Sequence, residues 1–73
     1  MKNIIKLISE EDIRNARLNK MCIVRVSFPK YTDYQPIHLA SSKQMGGKEI
    51  SEYLRLNGYD VDEYNIYTYE QNS

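Results

Sequence analysis

Met21-Cys22-Ile23-Val24-Arg25-Val26-Ser27-Phe28 is the stretch on which the fold turns. Its residues alternate. Cys22, Val24, Val26 and Phe28 share one parity, and Met21, Ile23, Arg25 and Ser27 share the other, which is the period of a strand. Pro29 ends the run, because proline offers no N–H to a ladder. The residues Lys30-Tyr31-Thr32-Asp33-Tyr34 then read as a hairpin loop. Pro36-Ile37-His38-Leu39-Ala40 reads as the return strand, with His38 on the face opposite Ile37 and Leu39.

Outward from this hairpin, each side offers a helix and then a strand. Ser9-Glu10-Glu11-Asp12 is a capping box with Asp in the place of Glu, and the helix dipole favours three acids in a first turn. It opens a helix from Glu10 to about Leu18 that buries Ile13 and Ala16 and stops at a left-handed Asn19. Before it, residues 3–8 suit a short strand covered on both faces. A second helix follows Gly47, with Ile50, Tyr53, Leu54 and Asn57 at helical spacing and Gly58 as its stop. After an acidic turn from Asp60 to Glu63, Tyr64 to Glu70 forms the last strand. Tyr64, Ile66 and Thr68 lie on one face of it and Tyr67 and Tyr69 on the other.

The order βαββαβ predicts a single small α+β domain over residues 1–73. The expected form is a two-layer sandwich of ferredoxin-like order, with an antiparallel sheet and both helices on one face. If residues 3–8 are not a strand, the alternative is a three-stranded sheet with an N-terminal helix.

Composition narrows the function. Ten basic and ten acidic residues cancel, so the chain lacks the positive field of a general nucleic-acid binder. The charge is uneven along the chain. Between Lys20 and Lys48 the only acid is Asp33, and after Lys48 the only base is Arg55. One cysteine cannot form an internal disulfide, and one histidine with one cysteine makes a poor start on a zinc site. No metal or cofactor is expected. A domain this small often leans on a partner chain for stability, which makes a homo-oligomer an expectation. No apolar run is long enough to span a membrane, the first residues do not resemble a signal peptide, and a lone cysteine fits a reducing, cytoplasmic setting.

Seven tyrosines and no tryptophan are the strongest compositional signal. Tyrosine joins an apolar ring to a polar tip and is favoured on surfaces that bind. On a sheet with one covered face, Ile23, Arg25, His38, Tyr67 and Tyr69 fall together on the open one, while Tyr53, Tyr59 and Tyr64 pack inward. Arg25, His38, Tyr67 and Tyr69, with Tyr31 and Tyr34 at the hairpin tip, are therefore the candidate contacts with a protein partner. Cross-strand packing or self-association would also account for the rings on the sheet. Aromatic rings beside Arg and His are also the ingredients of a base-stacking platform, so a nucleotide or single-stranded nucleic acid is the alternative ligand. Lys43, Gly46, Gly47 and Lys48, ahead of the second helix, are a candidate anion-binding group, although the spacing is not that of a P-loop.

No catalytic constellation emerges. Cys22 and His38 have opposite parity and should lie on opposite sides of the sheet. Glu10, Glu11 and Asp12 are accounted for by capping. The expectation is thus a non-enzymatic protein-binding module. By analogy of size and composition alone, such a chain suits a phage or mobile-element inhibitor that blocks a host factor.

Overall fold

The computed structural model describes residues 3–71. Strand β1 (Ile5–Leu7) leads to helix α1 (Glu10–Leu18), followed by β2 (Cys22–Ser27), β3 (Ile37–Ser41), helix α2 (Gly47–Leu56) and β4 (Tyr67–Glu70). A short 3-10 turn, Glu63–Asn65, precedes β4. The four strands form one antiparallel sheet in the order β1-β3-β2-β4. The domain is α+β as expected, and its sheet has four strands, not the three of the alternative reading.

The arrangement of layers differs from the ferredoxin-like expectation. There β4 would lie beside β1, but here it pairs with β2, Arg25 opposite Tyr69 and Ser27 opposite Tyr67. The helices also lie on opposite faces of the sheet, not on one. On one face, Val24, Val26, Phe28, Ile37 and Leu39 pack with Ile50 and Leu54 of α2. On the other, Leu7, Ile23 and Ala40 pack with Ala16 of α1, and Ile13 and Met21 lie against them. The result is a helix–sheet–helix stack of three layers.

Chain geometry accounts for this. Both crossovers, β1 to β2 and β3 to β4, skip one strand in the same lateral direction. Because β1 and β3 are antiparallel, two crossovers of the same hand must use opposite faces. Placing β4 next to β2 therefore carries α2 to the side that α1 does not use. Ile23, expected on an open face, is 1% exposed as a consequence.

The helix ends follow from local chemistry. Ser9 Oγ accepts from the Asp12 N–H at 3.2 Å, and the Asp12 carboxylate accepts from the N–H groups of Ser9 at 3.3 Å and Ile8 at 3.1 Å. At the other end of α1 the left-handed residue is Lys20 (φ 56°), one position later than the expected Asn19. The Lys20 N–H donates to the Arg17 carbonyl and the Met21 N–H to the Ala16 carbonyl, both at 3.0 Å. That pair of bonds is a Schellman motif, and it requires a left-handed residue after the cap. Helix α2 ends in the same way. Gly58 (φ 92°) donates to Arg55 and Tyr59 to Leu54.

Tyr64, expected to face inward from the last strand, lies outside that strand. It stands in the 3-10 turn, 84% exposed, while Ile66 enters the core. The Asp62 carboxylate accepts from the Tyr64 N–H at 3.0 Å and caps the turn. This shortens the strand to Tyr67–Glu70 and removes Tyr64 from its alternation.

Candidate binding face and aromatic cluster

Residues directly opposite in an antiparallel sheet point to the same side, with Cβ atoms about 4.5–5.5 Å apart. The pairings Leu7↔His38, His38↔Arg25 and Arg25↔Tyr69 thus draw one row across all four strands. The neighbouring row on β2 and β4 is Ser27 opposite Tyr67. Both rows lie on the α1 side of the sheet. Helix α1 covers the other end of that side, over Leu7, Ile23 and Ala40. Arg25, Ser27 and His38 remain half-buried, and Tyr67 and Tyr69 are 60% and 54% exposed.

The structure therefore brings together four of the residues singled out in the sequence: Arg25, His38, Tyr67 and Tyr69. It adds Ser27 and the partly exposed Ile5 of β1 on the same side. The parity of β2 signals Ser27, whereas Ile5 becomes visible only once the register of the edge strand is known.

Tyr31 and Tyr34 are placed elsewhere. Phe28 shares the parity of Val24 and Val26, so its ring lies on the α2 side, where it meets Tyr34 edge-on (centroids 5.3 Å, 73°) and stacks on Tyr59 (5.5 Å, 7°). Tyr34 in turn meets Tyr59 edge-on at 5.0 Å and stacks on Tyr31 at 5.4 Å. The Asp60 N–H donates to the Tyr34 hydroxyl at 3.2 Å, and Lys6 Nζ donates to the Tyr59 hydroxyl at 3.2 Å. These contacts fold the hairpin tip back over the end of the core and tie together the two connections that flank it. Tyr53 also packs against this core.

At the start of α2, the Gly46 N–H donates to the Glu49 carboxylate at 3.1 Å. The helix entrance near Lys43, Gly47 and Lys48 thus already holds an anionic group of its own. Cys22 pairs opposite Ser41 and His38 opposite Arg25, so the two side chains have opposite parity and face opposite sides of the sheet.

A cleft of ≈ 260 Å³ lies between β1 and α1, lined by Ile5, Leu7 and Met21 with Asp12, Asn15 and Asn19. Its polar groups serve the helix. Asp12 caps the first turn, and the Asn19 amide donates to the Asn15 carbonyl at 2.8 Å. Among the described residues, no three His, Cys, Asp or Glu side chains gather as a metal site, and no helix is long and apolar enough to cross a membrane. Compared with family models, curated proteins and solved structures, the chain matches none.

Proposed function

We propose that this chain is a non-enzymatic protein-binding module whose contact surface is the uncovered part of the α1-side sheet face, centred on Arg25, His38, Tyr67 and Tyr69. The observation that carries the reading is the row His38–Arg25–Tyr69, which β2, β3 and β4 hold side by side next to Tyr67. Tyrosine and arginine are, with tryptophan, the residues enriched among those that dominate binding energy near the centre of an interface. Here they stand on a hydrogen-bonded sheet, so little backbone entropy is lost when a partner docks. The hairpin tip is the weaker candidate, because its rings already pack against Phe28 and Tyr59. In the setting proposed from size and composition, such a module would act by occupying the surface of a host factor.

The test compares capture of a partner from a lysate of the source organism by three forms of the chain. Tyr69→Ser should lose the protein that the unmodified chain retains. Tyr64→Ser, which alters an equally large ring away from this face, should keep it. Retention by Tyr69→Ser would refute the assignment. Binding of an oligonucleotide that weakens steeply with salt and needs Arg25 and Tyr69 would replace it with the nucleic-acid reading.

A further inference from the structure

We infer that β4 pairs edge to edge with β4 of a second copy, making a closed dimer in which one sheet runs through both chains. The Gln71 N–H donates to the Ile23 carbonyl at 2.8 Å, which continues the β2–β4 register beyond Val24↔Glu70. Backbone groups alternate along an antiparallel strand. Tyr67, Tyr69 and Gln71 therefore direct their N–H and C=O groups to β2, while Thr68 and Glu70 direct theirs away from the sheet. Ile66, extended at φ −124° and ψ 151°, continues the alternation. The one charge in Tyr67–Glu70 is Glu70, at its end. The strand holds no proline and no lysine, and every residue in it is exposed, although natural sheets ordinarily protect such an edge.

The strand is complementary to itself. Under a twofold axis normal to the sheet, residues opposite each other must share a face, so their numbers must have an even sum. An axis through Thr68 places Thr68 opposite Thr68, and Ile66 opposite Glu70 in both directions. All of these are outward-directed residues that can exchange backbone hydrogen bonds. The same axis places Tyr67 of each copy opposite Tyr69 of the other, at the non-bonded positions where side chains approach most closely. No like charges meet. Among the described residues, an axis through Tyr69 forms fewer backbone bonds, and it opposes only one pair of tyrosines. The other edge is a poorer template. β1 has three residues with Lys6 at its centre, and a β1-to-β4 contact would run head to tail, which does not close as a dimer.

The dimer would join the tyrosines of both copies into one stripe bordered by Arg25 on each side. It does not depend on what that stripe binds. The test is sedimentation equilibrium of the full chain over a concentration series, with Thr68→Pro and Thr68→Lys alongside. Proline removes an outward N–H without touching the β2 ladder, and lysine sets like charges opposite each other. The unmodified chain should sediment at twice its 8.6 kDa. Each folded variant should raise the dimer dissociation constant at least about tenfold, a loss of about 1.4 kcal/mol, with the circular dichroism spectrum unchanged. If the proline variant fails to fold, the lysine variant decides. A chain that stays monomeric up to about millimolar concentration, or a dimer that Thr68→Lys leaves intact, would overturn the inference.

Discussion

Ile23 and Val24 are consecutive in the chain, yet each is buried under a different helix. Ile23 packs with Ala16 of α1, and Val24 packs with Ile50 and Leu54 of α2. This adjacency defines the three-layer fold and predicts that the two faces of the sheet are equally sensitive to trimming. Ile23→Val and Ile50→Val should each destabilise the domain by about 0.5–1.5 kcal/mol, the usual cost of deleting a buried methylene. Urea unfolding measures it. A neutral Ile23→Val would mean that α1 does not cover that face.

The two helix stops make opposite predictions. Lys20 holds a left-handed conformation without being glycine, at a cost of roughly 1–2 kcal/mol. Lys20→Gly should therefore raise stability by about 1 kcal/mol, despite the extra freedom of glycine in the unfolded chain. Gly58 has φ 92° and open space around the position of an added Cβ, so Gly58→Ala should cost about 1 kcal/mol through the backbone alone. Thermal unfolding of the two variants should move in opposite directions.

The aromatic cluster separates rings that hold the fold from rings that do not. Tyr34→Phe removes only the oxygen that accepts from the Asp60 N–H and should cost about 0.5–1.5 kcal/mol, the net worth of one hydrogen bond. Tyr64→Ser, at an exposed position with no ring partner among the described residues, should stay within about 0.5 kcal/mol of the unmodified chain. Denaturant midpoints measured side by side check the contrast.

The cap at Ser9 should behave as an ordinary helix start. Ser9→Ala removes the oxygen that accepts from the Asp12 N–H and should lower stability by about 1 kcal/mol. Ser9→Asp restores an acceptor and should recover most of that loss. Urea titration again provides the measurement.

Much of this structure is legible in local sequence. The alternation from Met21 to Phe28, the box at Ser9–Asp12 and the glycine stop at Gly58 each act within a few residues, and each appears where the sequence places it. What escapes local reading is the lateral position of β4. Parity says that Tyr67 and Tyr69 share a face, but it does not say which edge the strand joins. That choice moves α2 to the second face and buries Ile23. Tyr64 escaped for a related reason. Its alternation with Ile66 suits a strand, but the carboxylate of Asp62 captures the Tyr64 N–H and starts a tight turn instead. The hairpin tyrosines were legible as a pair but not as a cluster, because their partner Tyr59 is distant in sequence. The grouping of Arg25, His38, Tyr67 and Tyr69 came through because it depends on parity and on one side of the sheet staying partly open.

The central claim, that this group forms the contact surface, is tested most directly by residue-resolved amide shifts of the isotopically labelled chain as the captured partner is added. The account predicts perturbations concentrated at Arg25, Ser27, His38, Tyr67 and Tyr69, with Tyr31, Tyr34 and Tyr64 unmoved. Perturbations confined to the 30–34 loop or to α2, with the Arg25–Tyr69 row silent, would contradict it.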